Sequence, residues 1–404
     1  MGFWVGVSGI GRTFPQEVRY EGPRTESFPD FTDSLRTLQQ LKARAARLSA
    51  FKGRAHGTPY AAKATRYLAR TFQKMGYVVR VDTFPLVVYR IISAHLSVSS
   101  DGRHWRALRL GRDFVPSGSC PPIRGSWQVD TARRKGYAWR TLNFSPEVSV
   151  RAQREGIPLI LIPRPKLIAT VSTKSELQPI LYIRDTLPSF SHVRLEVKGR
   201  LEQTIGWNVS ARRKGDSSDS AWVIGAHYDH LGYIGNAVFW GGNDNSSGVA
   251  MLLVLAERLS RSAPPPYDVW FVAFGAEELG LIGSQWWVNH PPYPLRRLRG
   301  MLNLDLMGFG EKGVAVVGAA DQPAFWQRVD HIRRVQGWDV PLHLRPMAPN
   351  SDQYPFYLAG VPALFFYLEG GPGYYHDVYD RPETLSWHAA YPFLRWIASV
   401  LSLP

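Results

Sequence analysis

From Ala221 to the carboxyl terminus, apolar runs alternate with helical patterns. The runs that predict strands span 221–226, 268–274, 300–306, 314–318 and 361–368. The patterns that predict helices span 246–259, 280–289, 322–336, 352–359 and 388–401. A continuous apolar run is typical of a strand that is buried on both faces, and this alternation indicates a sheet covered by helices on both faces. We therefore predict an α/β fold with a mixed, largely parallel central sheet.

Seven acidic and histidine residues stand out here because most of them come just after an apolar run. They are His227, Asp229, Asp244, Glu277, Glu278, Asp305 and His376. Ligands of open α/β sheets bind outside the carboxyl ends of the strands, so the five segments that carry these residues are expected to converge. Zinc binds His nitrogen and carboxylate oxygen, and paired metal ions need a carboxylate that bridges them. Each residue alone is ordinary for a loop or helix terminus, but the set predicts a metal centre.

Five motifs around these residues are similar to those of the co-catalytic zinc aminopeptidase family. They read GAHYDHLG, GGNDNSSGVA, GAEELGLIGS, NLDLMG and YYHDVYDRPETL. The stretch FKGRAHGTPYAAKATRYLARTFQKMGYVV also resembles the segment that opens the family's peptidase fold. The resemblance covers about 40–100 and 205–402. It implies the zinc-exopeptidase fold of bacterial leucyl aminopeptidases, with two Zn2+ ions per chain.

The resemblance also implies how five of the residues would hold these ions. Asp244 would bridge the two metals. His227 and Asp305 would complete one site. Glu278 and His376 would complete the other.

Other residues receive supporting or catalytic roles from the same resemblance. Glu277 would be the general base, and Asp229 would orient the imidazole two residues before it from outside the ligand shell. Tyr375 is placed like a tyrosine that stabilises the oxyanion in some members, with plain packing as the alternative. His230 is expected to support its loop without binding metal. Gln353 stands where the family usually has His, a departure expected to affect substrate contacts and not the metal set.

Two interpretations remain open for a few more polar and aromatic side chains. Asp380 is expected to support the site from outside the ligand shell or to cap its loop. The pairs Phe239-Trp240 and Trp286-Trp287 could line a substrate pocket, although packing in the core is the simpler expectation for such large rings.

The implied activity is that of a zinc-dependent exopeptidase, and we expect an aminopeptidase that hydrolyses N-terminal bonds of peptides or small proteins. Alternatives are a carboxypeptidase-like or glutaminyl-cyclase-like relative, and a non-catalytic receptor-like binding module. The family's cyclases work with one zinc, whereas all five ligand positions for two metals are filled here. Receptor-like members lose ligands or the base, whereas this chain keeps both Glu277 and Glu278.

Four divisions of the chain are expected. Residues 1–32 form an irregular arm, 33–104 open the peptidase domain, 105–200 form an inserted β-rich domain, and 201–404 carry the metal site. The insert faintly resembles a protease-associated domain through FSPEVSVRAQREGIPLILI. Within the first part, helices are expected from Asp33 and over about 58–75, followed by strands at 77–84 and 91–98. A further strand is expected at 207–215.

Composition limits the remaining possibilities. The formal charge is +15, but the basic residues are scattered and no nucleic-acid motif accompanies them, so we expect no nucleic-acid partner. We also expect no membrane span, since no apolar run approaches about 18 residues. Cys120 is the single cysteine, which excludes an intrachain disulfide. The first residues match a signal peptide poorly, whereas the family resemblance implies a secreted or periplasmic protein. Oligomeric state stays open.

Overall fold

The computed structural model describes residues 33–142 and 145–402, so the arm expected at 1–32 lies outside the described residues. The α-helices are α1 (Ser34–Ser49), α2 (Pro59–Lys74), α3 (Pro146–Arg154), α4 (Gly248–Arg261), α5 (Ile282–Asn289), α6 (Pro323–Val335), α7 (Gln353–Leu358) and α8 (Ala390–Val400). The strands are β1 (Val78–Ser99), β2 (Arg106–Ala107), β3 (Phe114–Pro116), β4 (Ile123–Asp130), β5 (Ala138–Arg140), β6 (Ile160–Arg164), β7 (Ile180–Arg184), β8 (His192–Arg213), β9 (Ser217–His227), β10 (Gly232–Ile234), β11 (Ala237–Phe239), β12 (Tyr267–Phe274), β13 (Leu298–Leu304), β14 (Gly313–Val317), β15 (Leu342–Arg345) and β16 (Ala363–Glu369). Across these described ranges, no helix has the length and apolar character needed to cross a membrane.

The central sheet runs in the order β15-β14-β16-β13-β9-β12-β8. Strands β12, β9, β13 and β16 are parallel neighbours, while β14 is antiparallel to β16 and β8 is antiparallel to β12. This arrangement confirms the predicted α/β class with a mixed, largely parallel sheet.

Helices cover both faces of this sheet because alternate strand residues point to opposite sides. Trp222 and Ile224 of β9 join the larger buried cluster, which includes residues from α1, α2, α4, α6 and α8. Val223 of the same strand joins a second cluster with Trp287 of α5 and Phe356 of α7. The continuous apolar run of β9 is therefore explained by burial on both sides.

A long two-stranded ribbon replaces the separate strands expected at 77–84 and 91–98. Strand β1 runs without interruption through this region and pairs with β8, which begins well before the strand expected at 207–215. The apolar alternation continues between the two runs, with Leu86 and Val88 buried. Pro85 pairs with Ile205 inside this ladder, and a proline is tolerated there because β1 has no second ladder on that stretch.

The segment 105–200, here called the insert, contains β2 to β7 and the start of β8. Its strands continue the ribbon in the order β4-β5-β6-β7-β3, and its apolar residues form a buried cluster together with residues of β1. The insert also contains α3, which the β-rich sequence pattern did not predict; Ser145 caps this helix by accepting from the Val148 amide at 3.3 Å. The division of the chain into domains at these boundaries stays a prediction.

Candidate metal centre

Three neighbouring parallel strands bring polar residues to one edge of the sheet. His227 is the last residue of β9, and Asp305 directly follows β13. Glu277 and Glu278 follow the end of β12 by three and four residues. Because β12, β9 and β13 are parallel and adjacent, their carboxyl ends open into the same crevice. The sheet therefore positions these four side chains, as their place after apolar runs indicates.

Asp244 lies between two groups of these side chains. Its Oδ1 atom is 3.3 Å from His227 Nε2, and its Oδ2 atom is 3.1 Å from His376 Nε2. On the first side, Asp305 Oδ1 is 3.4 Å from His227 Nε2. On the second side, Glu278 Oε2 is 3.1 Å from His376 Nε2. Each carboxylate oxygen of Asp244 thus faces a different histidine, and within each group the possible ligand atoms lie within 4.8 Å of one another.

The loop that precedes α4 holds Asp244 in this central place. Asp380 accepts hydrogen bonds from the amides of Asn243 at 2.7 Å and Asp244 at 3.0 Å. Asn245 accepts from the Gly248 amide at 2.8 Å, at the start of α4. Asp380 therefore supports the backbone of Asp244 from outside the group of possible ligands.

The ionisation of the central groups reflects their mutual contacts. Although burial opposes it, the His227 and His376 side chains hold the pKa of Asp244 well below its usual range. The pKa of Glu278 falls to about 2 because His376 and His230 offset the effect of burial. The pKa of His376 rises to about 11 against the effect of burial, since Glu278 and Asp244 face its ring. The site is thus a dense set of paired charges.

Glu277 differs from its neighbour in both position and ionisation. Its Oε2 atom is 4.0 Å from His227 Nε2, farther than either Asp244 or Asp305. Burial raises its pKa well above the usual range, and the nearby Glu278 adds to this effect while His227 opposes it. A carboxyl group beside the ligand set with a raised pKa is suited to accept and release a proton.

Asp229 contacts the two glutamates more closely than it contacts His227. Its Oδ1 atom is 3.8 Å from His227 Nδ1, beyond hydrogen-bond range. Its carboxylate instead accepts from the amide of Glu277 at 3.1 Å and from that of Glu278 at 3.4 Å. Burial raises the pKa of Asp229 to about 6. The structure thus shows it supporting the glutamate backbone; the expected support of the imidazole stays a prediction.

His230 and Tyr375 lie directly beside this centre. His230 Nδ1 is 2.7 Å from Glu278 Oε1 and 3.8 Å from Asp244 Oδ1. His230 therefore lies next to the possible ligand atoms, which a role in supporting its loop does not require. Tyr375 stacks on the ring of His376 with 3.9 Å between ring centres and remains 46% exposed. Partial burial and the surrounding carboxylates raise the pKa of Tyr375, so it keeps its proton at neutral pH.

Arg54 is a member of the site that the sequence reasoning missed. Its fully buried guanidinium donates to the carbonyl oxygens of Tyr228 at 2.6 Å, Trp240 at 3.0 Å and Gly241 at 3.1 Å. Burial lowers the pKa of Arg54 to about 10, although Asp229 and other nearby acids oppose the shift. The only sequence signal was its place in a motif that resembles the family, to which no role was attached.

The segment that follows β15 contributes a second layer of polar contacts. Ser351 donates to Asp305 Oδ2 at 3.1 Å and accepts from Asn303 at 2.8 Å. Asp352 is fully buried, and burial raises its pKa to about 7. The amide group of Gln353 donates to the Ala348 carbonyl at 3.0 Å, so it holds the preceding loop and not the ligand group.

Two cavities adjoin the loop that carries His376. A cavity of about 220 Å³ is lined by Asn243, Leu306, Tyr375 and Asp380, among others, and therefore lies beside the centre. A cavity of about 540 Å³ is lined by Trp240, Val378 and Tyr379, among others. Of the four aromatic residues considered from the sequence, Phe239 and Trp287 are buried in apolar clusters, as packing in the core requires.

Part of this chain resembles a known family of peptidases. Residues 208–401 match the model of peptidase family M28. The aminopeptidase YwaD of Bacillus subtilis is 33% identical over 174 residues, which is 40% of this chain and 36% of YwaD. The chain thus spans about a third of the length of the curated relatives it matches.

Solved structures share the fold over most of the chain. The zinc aminopeptidase BSAP from Bacillus subtilis superposes with a TM-score of 0.71, covering 90% of this chain and 93% of that one at 22% identity. The glutaminyl cyclase of Porphyromonas gingivalis gives a TM-score of 0.54, covering 90% and 96% at 13% identity. At these identities the superpositions establish the fold alone.

Proposed function

We propose, because residues 208–401 match the model of peptidase family M28, that this chain is a zinc-dependent aminopeptidase with two metal ions per chain. The observation that carries the proposal is the geometry of Asp244. One of its carboxylate oxygens faces His227 and the other faces His376. A carboxylate shared between two histidine-containing groups fits a bridge between two metals.

The donor set fits zinc. Each half of the site combines one imidazole with carboxylate oxygens, the ligand types that catalytic zinc takes from proteins. His227 and Asp305 would hold one ion, Glu278 and His376 the other, and Asp244 both. Asp305 Oδ1 is buried without a hydrogen bond of good geometry, although it faces His227 Nε2 at 3.4 Å. A cation between these two atoms would satisfy both.

Charge gives a second reason for bound cations. Seven carboxyl groups lie in or directly around the site, namely Asp229, Asp244, Glu277, Glu278, Asp305, Asp352 and Asp380. Buried carboxylates are costly unless they are paired or bind metal, and Arg54 is the buried guanidinium near them. Two divalent ions would supply the compensation that the histidines and this arginine leave incomplete.

The chain's own residues account for the remaining chemistry of peptide hydrolysis. When bound, two zinc ions lower the pKa of a water molecule towards neutrality and polarise the scissile carbonyl. Glu277, with its raised pKa, takes the water proton at its carboxylate and passes it to the leaving amine. The Tyr375 hydroxyl, protonated at neutral pH, donates to the developing oxyanion. Asp229 keeps the backbone of both glutamates in place.

The charge of the site favours a substrate whose reacting end carries an amine. The whole chain has a formal charge of +15, yet its metal centre is a cluster of acids. With seven carboxyl groups against two divalent ions and one guanidinium, the site does not become formally positive. An N-terminal ammonium group is attracted to such a site, whereas a C-terminal carboxylate is repelled. The cavity of about 220 Å³ beside Tyr375 would accommodate the first side chain.

Matched chromogenic substrates test this proposal. The full chain, loaded with zinc, is expected to hydrolyse an amino-acid p-nitroanilide and to leave its N-acetylated counterpart intact. A chelator should abolish turnover, and zinc should restore it. Equal turnover of both substrates would contradict recognition of a free amine. Cleavage of N-blocked peptides from the carboxyl end would favour the carboxypeptidase alternative.

A further inference from the structure

The loop that carries His376 is held by the insert. His376 Nδ1 lies 2.9 Å from the carbonyl oxygen of Ala169, and the Ala169 amide donates to the carbonyl oxygen of His376 at 3.1 Å. We propose that Leu167–Ala169 of the insert positions His376 and thereby sets the zinc affinity of one half of the centre. This inference rests on the proposed function, because it concerns a metal that His376 would bind.

The contact with Ala169 fixes both the tautomer and the direction of the ring. A carbonyl oxygen only accepts, so Nδ1 carries a proton, and Nε2 is the nitrogen that would bind zinc once the ring is neutral. The same Nε2 atom faces Asp244 and Glu278, each at 3.1 Å. Histidine ligands are generally held in this way by an acceptor on their other nitrogen. Here that acceptor belongs to the insert and not to the sheet that carries the other ligands.

The backbone at His376 also needs external support. Its φ angle is 56°, in the left-handed region that side chains with a Cβ atom rarely adopt. The two hydrogen bonds to Ala169 engage both the side chain and the carbonyl of His376. They therefore hold an otherwise unfavourable conformation in the orientation that the centre requires.

An apolar contact joins the insert to the same loop. Leu167 and Val115 of the insert belong to one buried cluster with Val378, two residues after His376. Gly111 approaches from a second part of the insert, where an added Cβ atom would lie 2.5 Å from a methyl group of Val378. The insert thus packs against the loop at two places, and docking of Leu167 fixes the position of the Ala169 carbonyl.

The other half of the centre is supported differently. His227 ends β9, Asp305 follows β13, and Ser351 donates to Asp305 at 3.1 Å. These supports come from the peptidase part of the chain. Loosening the contact between Leu167 and the loop should therefore weaken the binding of one zinc ion and leave the binding of the other unchanged.

Two leucine truncations in the full-length chain separate this role from general stability. Leu167→Ala removes the docking contact. Leu159→Ala is the matched control, since Leu159 is also buried but belongs to a cluster that the insert shares with β1 and that contains no residue of the His376 loop. Stepwise zinc affinities of the metal-free proteins are measured by competition with a chromophoric chelator. We expect Leu167→Ala to weaken one of the two steps by about 10- to 100-fold and Leu159→Ala to change neither.

The possible results distinguish this inference from the proposed function. Wild-type affinities at both steps in Leu167→Ala, or equal weakening in both variants, would overturn the positioning role while leaving the two-zinc proposal intact. A wild-type chain that binds fewer than two zinc ions would overturn both.

A second pair of variants covers the case in which Leu167→Ala does not fold. Ala169→Pro removes the amide that donates to His376, whereas Ala169→Gly keeps it. Nitrogen-15 spectra of the zinc-loaded protein with labelled histidine report the result directly. The Ala169 carbonyl that accepts from His376 Nδ1 is kept in both variants, but without the amide bond the loop is held less firmly against it. The Nδ1 proton of His376 should therefore exchange slowly in wild type and Ala169→Gly and faster in Ala169→Pro. Slow exchange in Ala169→Pro together with unchanged zinc affinity would refute the inference.

Discussion

Replacing Arg54 by Met should destabilise the fold because three buried carbonyl groups lose their donor. The guanidinium donates to Tyr228, Trp240 and Gly241, which belong to the loop between β9 and α4. A buried acceptor left without a partner costs about 1–3 kcal/mol, and breaking a buried charged contact costs about 3–5 kcal/mol. Burial lowers the pKa of Arg54 to about 10, so the substitution also removes a desolvation penalty. We therefore expect a loss near the lower end, about 3 kcal/mol.

Urea unfolding of the metal-free full chain measures this loss by linear extrapolation. Arg66→Met is the control, because Arg66 is exposed on α2 and a surface change of this kind alters the free energy of unfolding by less than about 0.5 kcal/mol. A free energy of unfolding for Arg54→Met within 1 kcal/mol of wild type would show that the loop does not depend on the three hydrogen bonds.

Three further changes test the catalytic assignments and the buried imidazole of His56. Glu277→Gln with both zinc ions retained should lower kcat by about 10²- to 10⁴-fold on an amino-acid p-nitroanilide; wild-type turnover would contradict the general-base role. Tyr375→Phe should lower kcat by about 10²-fold with little change in KM, whereas Tyr379→Phe in the same loop should be neutral; equal rates in both would favour plain packing. Burial lowers the pKa of His56 to about 4, so below about pH 6.5 the unfolded chain binds a proton that the folded chain does not, and stability falls as the pH falls towards 4. The free energy of unfolding, measured by urea titration, should change between pH 7 and pH 4 by about 3 kcal/mol less in His56→Phe than in wild type. The same change in both proteins would contradict this role of His56.

The parts of the fold that the sequence predicted depend on local patterns. The apolar run of β9 and its neighbours placed His227 and Asp305 at strand ends, where the structure has them. The two apolar runs at 77–84 and 91–98 were predicted as separate strands. In the structure β1 continues through Pro85, since tertiary pairing with β8 outweighs the local signal.

The parts of the site that the sequence did not predict depend on contacts between distant segments. Arg54 is 174 residues from Tyr228, and nothing in its neighbourhood indicates three carbonyl partners. Ala169 contributes only backbone atoms, which leave no trace in residue type. His230 was set aside because the other residues already filled the ligand positions, and only the fold shows its 2.7 Å contact with Glu278.

In the proposed function, five side chains from separate segments form one centre for two zinc ions. The zinc content of the folded chain, measured by mass spectrometry after equilibration with buffered zinc and gel filtration, tests it most directly. We expect two ions per wild-type chain and one ion per chain when Asp305 is replaced by Ala. One ion or none in the wild-type protein would contradict the account.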